Sequence, residues 1–238
     1  MKREPRARLT LDVPRFEQPD ELTCGPTCLA AVYSYYGRSC TAEDVIGEIR
    51  RNPDGGTLAI YLGISALERG YNAVLYSYNL RVFDPTWASL SQEDLAKKLR
   101  KRRKVVRSKR LRKVITAYLD FLELGGLVRF RDLETELLFE ILKRRRPILT
   151  GLSGTYLYQI PREHRDEADD IRGDPVGHFV VVSGYDPDAD RFLIRDPFRQ
   201  IPFSVTGSYS VESTRLFSAI LLGDITYDAV LLELWPEK

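Results

Sequence analysis

The chain has 238 residues, 43% of them hydrophobic and including 13 Tyr, 10 Phe and 2 Trp, which is enough apolar bulk for a core and excludes a disordered polymer. Its 36 basic and 34 acidic residues leave a net charge of only +2, so overall charge selects no partner and local clustering must be read instead. No stretch approaches the roughly 18 apolar residues of a membrane helix, and three cysteines are too few and too odd in number for a disulfide framework.

The N-terminal MKREPRARLTLDV carries charge with no apolar run behind it, so no signal peptide is expected. The prediction is a soluble, cytoplasmic protein of one domain over residues 1–238. LTLDVPRFEQ alternates briefly before Pro14 interrupts it, as in an edge strand or extended arm. A helix should open near Cys24, with Leu29, Ala30, Val32, Tyr33 and Tyr36 at helical spacing and Gly37 as its stop. TAEDVIGEIR begins with a capping-box pattern, Thr41 followed three residues later by Asp44. After NPDGG, a turn, TLAIYLGISALERG reads as a helix and YNAVLYSYNL as a strand.

From Ser89 a helical, strongly basic stretch starts at a Ser91–Asp94 cap; residues 89–130 are taken as an insertion in the domain. DLETELLFEILKRRR is a further helix, stopped by Pro147. PILTGLSG, GHFVVVSGYD, DRFLIRDPF and YDAVLLELW then read as strands, with a charged loop, Tyr158–Gly177, after the first. Helices first and strands last predict an α+β domain, helices packed on an antiparallel sheet.

The chemistry concentrates in QPDELTCGPTCLAAVYSYYG, Gln18–Gly37. A thiol attacks only as thiolate, which is favoured at a helix N-terminus and beside an imidazolium. Cys24 stands where the helix begins, Gly25 lets a substrate approach the backbone, and Pro26 suits the first turn. The base must be one of two histidines. His164 lies in the charged REHRDEADD loop and reads as solvated surface, whereas His178 opens a strand. A hairpin joining the strands of HFVVVSGYD and LIRDPF brings Asp196 beside His178, where it can fix the tautomer. Gln18 and the Cys24 backbone N–H could then donate to an oxyanion. Each residue has a plainer reading: Cys24 as a packed small hydrophobe, Asp196 before Pro197 as a turn former. Cys28, one helical turn on, should be structural, and Cys40 incidental. Neither cofactor nor metal is expected, because two histidines and three scattered cysteines offer no ligand spacing.

Gln18, the CGPTCLA run from Cys24 through Cys28, GHFVVVSGYD with His178, and LIRDPF with Asp196 resemble the papain-like cysteine peptidases of the bacteriocin-processing, double-glycine type and their stand-alone relatives. The resemblance covers about residues 14–80 and 145–200. It implies a papain-like fold, with the nucleophile on the first long helix and the histidine and aspartate on the sheet. Its best-known members are fused to an ATP-driven exporter and cut leader peptides after Gly-Gly; this sequence shows neither a membrane span nor a nucleotide motif.

The expected activity is therefore a thiol hydrolase, peptidase or amidase, acting through an acyl-enzyme on a peptide or protein. Aminolysis of that intermediate would make it a transferase. A different class, an adaptor with a silent cleft, would bind through the basic run instead. Twelve Lys and Arg lie between Lys97 and Lys113. They could recruit an acidic peptide or, less favoured, nucleic acid; otherwise they are a solvated helix face whose buried side is Val105, Val106, Leu111, Val114, Ile115, Tyr118 and Leu122. LELGGLVRF contains a double glycine that invites self-processing, but a turn at Gly125–Gly126 explains it more simply.

Overall fold

A computed structural model describes residues 7–52, 55–223 and 229–237. Part of the basic N-terminal stretch, Pro53 and Asp54 of the NPDGG turn, and Tyr227–Asp228 of the last expected strand lie outside the described residues. The first half comprises β1 (Leu9–Thr10), α1 (Cys24–Tyr35), α2 (Ala42–Glu48), α3 (Ala59–Glu68), β2 (Tyr71–Ser77), α4 (Gln92–Val105) and α5 (Lys109–Glu123). Next come β3 (Leu127–Arg129), α6 (Thr135–Lys143), β4 (Ile148–Ser153), the single turn α7 (Gly154–Tyr158) and a small hairpin of β5 (Glu163–His164) and β6 (Glu167–Ala168). The chain finishes with β7 (Gly177–Asp186), β8 (Arg191–Arg195), β9 (Ser208–Glu212), α8 (Ser213–Leu222) and β10 (Val230–Pro236).

One sheet joins these parts in the order β3-β2-β10-β4-β7-β8-β9. Every pair is antiparallel except β2 with β3. β10, last in the chain, sits between β2 and β4 and ties the N-terminal half to the C-terminal half. β1 pairs with the far end of β7, beyond the end of β4. In β7, Val180, Val181 and Val182 point to alternate faces yet all are buried, so both faces of the central strand are covered. α1 packs on β7 and β4, α3 on β2 and β10, and α8 on β4 and β9. This is the expected α+β, papain-like arrangement of helices on a mostly antiparallel sheet.

The capping box of α2 forms as read, with Thr41 and Asp44 exchanging side-chain and backbone bonds at 3.2 and 2.9 Å. Ser91 caps α4 by accepting from the Asp94 N–H. The basic stretch is two helices rather than one. Ser108 turns its hydroxyl onto the Leu111 N–H and starts α5, and Val106 ahead of it is extended. Val114, Ile115, Ala117, Tyr118 and Phe121 form the buried stripe of α5. Val105, expected on that buried side, is 76% exposed, because it ends α4 at the elbow. α6 begins only at Thr135, later than the sequence suggested. β9 and α8 were not anticipated. At the double glycine, Gly125 takes φ +90° in the turn after α5, and a side chain at Gly126 would collide with the Phe121 ring.

Candidate active site

α1 begins at Cys24 itself, with Thr23 accepting the Thr27 N–H and hydroxyl on its carbonyl. Pro26 falls within the first turn, where its missing N–H leaves nothing unsatisfied. Gly25 serves packing rather than substrate approach: a β-carbon there would lie 2.7 Å from Thr57 Cγ2 and 3.2 Å from the Phe179 ring. One turn on, Cys28 is buried with its thiol toward the Phe179 carbonyl at 3.4 Å, and burial pushes that thiol well up. The same face of α1 thereby lies along the start of β7, and Cys24 comes to rest beside His178.

His178 Nε2 bonds Asp196 Oδ1 at 2.9 Å, which leaves Nδ1 for the Cys24 thiol, itself within hydrogen-bonding reach of the ring. Cys24 and His178 are each 8% exposed and Asp196 is fully buried. Burial opposes the charged imidazole, but the Asp196 carboxylate, its hydrogen bond and Cys24 outweigh it, so the His178 pKa is raised to about 10. Burial likewise opposes ionisation of Asp196; the His178 charge and bonds from His178, Tyr209 and the Phe198 N–H reverse this and hold the carboxyl below its ordinary value.

The Asp196 carboxylate is fully satisfied. Besides His178 and the Phe198 N–H at 3.0 Å on Oδ1, it accepts Tyr158 OH at 2.8 Å and Tyr209 OH at 2.6 Å on Oδ2. Burial, then the Asp196 charge, pushes both phenols far up, so they stay protonated donors. Phe198 stands edge-on to His178 and stacks on Tyr158, each with centroids 6.0 Å apart, and Phe203 closes on Tyr209 at 5.0 Å. The N-terminal arm clamps this segment: Arg15 donates from Nε to the Asp196 carbonyl and from Nη2 to the Phe198 carbonyl, and the Gln18 N–H reaches the Pro197 carbonyl at 2.9 Å.

Cys24 and His178 open into a cleft of about 230 Å³, rimmed by Glu21, Leu22, Thr57, Arg110 and Phe179. Gln18 is not among its lining residues. Its Nε2 donates to the Asp20 carbonyl at 2.8 Å and its buried Oε1 has no protein partner. The structure therefore brings Cys24, His178 and Asp196 together and leaves the Gln18 side chain turned to its own loop. His164 lies apart, in the β5–β6 hairpin. Cys40 is a partly buried free thiol away from the cleft, its pKa raised chiefly by burial. Among the described residues, no cluster of His, Cys, Asp and Glu is placed to hold a metal ion, and no helix is long and apolar enough to cross a membrane. Tyr158 and Tyr209 escaped the sequence reading, since nothing distinguishes them from the other tyrosines. Arg110 was visible only as part of the basic run.

The sequence profile of the Peptidase_C39 like family matches residues 10–209. A crystal structure described as a C39-like peptidase from Bacillus anthracis superposes with a TM-score of 0.50 at 16% identity, over 98% of this chain and 100% of that one, a likeness of fold alone. A double glycine motif protease from an AMS/PCAT transporter, solved with its leader peptide, gives 0.45 at 15% identity over 98% and 100% of the two chains. Xylellain, a cysteine protease from Xylella fastidiosa, gives 0.46 at 13% over 97% and 86%. No curated protein matches the chain.

Proposed function

Since the chain belongs to the Peptidase_C39 like family and is accordingly a cysteine peptidase-like hydrolase, we propose that Cys24 is its nucleophile, His178 its general base and acid, and Asp196 the residue that orients the imidazole. The observation that carries this is the line of contacts from Cys24 through the His178 ring to Asp196 Oδ1, at the floor of a cleft. The substrate is a peptide or protein.

The proton of the Cys24 thiol rests on His178 Nδ1, since the raised pKa keeps the ring charged near neutral pH, and the sulfur attacks the scissile carbonyl carbon as thiolate. The imidazolium so formed faces Asp196 through Nε2, where the carboxylate stabilises it and holds the ring's tautomer. The oxyanion is received by the Cys24 N–H, one of the donors an α-helix leaves unpaired at its start. Gln18, whose Nε2 meets the Asp20 carbonyl outside the cleft, joins as second donor by turning its spare amide hydrogen toward the oxyanion. His178 then protonates the leaving amine, giving a thioester on Cys24 that water hydrolyses with His178 again as base. An amine in place of water turns the same intermediate to transfer, and the aromatic wall around Asp196 bears on neither choice.

The test is cleavage of a defined peptide library by the purified chain, read by mass spectrometry, with Cys24→Ala and Gln18→Ala alongside. The reading requires that Cys24→Ala abolish cleavage, that Gln18→Ala lower kcat with little effect on KM, and that a thioester adduct on Cys24 be trapped by acid quench. Cleavage surviving in Cys24→Ala would refute it. Hydroxamate formed on adding hydroxylamine reports the thioester, and the product formed with and without an amine-bearing peptide acceptor separates hydrolysis from transfer.

A further inference from the structure

Beside the cleft lies a larger concavity of about 530 Å³ whose walls carry Arg50, Arg51, Arg103, Lys104, Arg112 and Lys113, with no acidic residue among those that line it. These cations arrive from three segments: the stretch after α2, the end of α4 and the first turns of α5. Asn52 lines both the concavity and the cleft, so the two are neighbours. Arg110, in the cleft, stands on α5 one turn, ~5 Å, before Lys113 in the concavity.

Elsewhere on α4 two cations do find acidic partners. Lys97 bridges Glu93 and Asp94 at 2.8 and 3.1 Å, and Arg100 reaches Glu123 at 3.1 Å. Within the concavity, among the described residues, Arg50 is the only one of the six to meet a carboxylate, Asp120 at 3.6 Å. Arg103 and Arg112 donate to neutral oxygens, Thr116 Oγ1 and the Arg107 carbonyl. Like charges from distant parts of the chain are thus gathered on a recess and left for an anion to neutralise.

We propose that this recess is a subsite of the peptidase, which takes acidic side chains of the substrate on the side of the scissile bond that faces α5. This rests on the peptidase reading of the cleft. On that basis the α4–α5 hairpin, the expected insertion, is what gives the enzyme its preference for acidic sequences. A nucleic acid fits the recess less well. Its aromatic residue, Tyr61, is buried, with the Arg50 guanidinium over its ring at 5.4 Å, so no ring face is presented for a base to stack on.

The experiment measures fluorescence anisotropy of fluorescein-labelled hexaglutamate on the full chain carrying Cys24→Ala, with and without Arg112→Ala and Lys113→Ala. Both arginine and lysine are exposed, so these variants keep the fold. The expected result is at least tenfold weaker binding in the double charge variant, steep weakening with salt, and slower iodoacetamide labelling of Cys24 in the wild type when hexaglutamate is saturating. Absence of hexaglutamate binding, equal affinity in both proteins, or labelling unaffected by saturating peptide overturns the proposal. So does tighter binding of labelled hexathymidylate that the same variant abolishes, which would make the recess a nucleic-acid interface. Failure of the peptidase reading shows separately, as Cys24 labelling that is unchanged by His178→Ala.

Discussion

Tyr158→Phe and Tyr209→Phe remove one hydroxyl each and leave ring packing intact. Both hydroxyls donate to Oδ2 of a carboxylate with no exposed surface, so water cannot replace them. A hydrogen bond to a buried charged group contributes about 1.5–3 kcal/mol, and each single variant should lose that much stability near neutral pH. The double variant should lose more than the sum, because only then is Oδ2 bare. The sign with pH is also set. Asp196 has a depressed folded pKa, so its contribution is present above the unfolded value of about 3.9 and is lost as pH falls through the folded one. The phenols favour the ionised form, so the penalty of removing them should shrink in acid. Urea denaturation of the four proteins across the acid limb measures all of this. Wild-type stability in Tyr209→Phe at pH 7, or a penalty that stays constant as the carboxyl protonates, would refute the reasoning.

At pH 6, iodoacetamide should label Cys24 ahead of Cys28, which is buried, and Cys40, whose thiol burial raises; His178→Ala should slow Cys24 labelling about tenfold or more, and an unchanged rate in that variant removes the imidazole from the chemistry. The His178 pKa, raised from 6.5 to about 10, means that its charge stabilises the fold fully below about pH 6.5 and that this contribution is lost as pH rises through about 10. The stability advantage of wild type over His178→Phe should accordingly decline between pH 7 and 10.5, and a flat difference in a denaturation series contradicts the pairing. Glu233, 1% exposed on β10, holds Arg146 at 2.7 Å, Arg144 at 3.0 Å and the Tyr76 hydroxyl at 3.0 Å. Glu233→Ala should cost about 2–3 kcal/mol in thermal or chemical denaturation, less than a fully buried pair because both arginines can turn to water; a loss under ~0.5 kcal/mol would show the cluster to be ornamental.

Cys24, His178 and Asp196 could be read in advance because each sits at the boundary of a regular element: a helix start, a strand start and a strand end. The periodicity on either side fixes where they point. Gln18 could be flagged by its spacing from Cys24, but its side-chain direction depends on the turn at Asp20, which pattern alone does not determine. Tyr158 and Tyr209 meet only through folding, one from a single helical turn and one from β9, and neither element has a periodic signal long enough to see. The break at Ser108 was hidden for a related reason: a hydroxyl chose to cap rather than continue, amid residues that all favour helix. Arg50 and Arg51 gave no hint of the basic recess, since their partners lie some fifty residues on in the chain.

The contact of α1 on β7 joins Cys28 to Phe179 across 151 residues, and that separation has a meaning during synthesis. The helix bearing Cys24 leaves the ribosome long before the strand bearing His178. At about 5–20 residues per second Cys24 waits on the order of 10–30 s for His178. Throughout that time the chain holds a cysteine and no assembled site, so it cannot cut itself, its neighbours on the polysome or the factors that attend it. On the proposed assignment of Cys24 and His178, activity can begin only once the later strand has emerged and folded onto the helix.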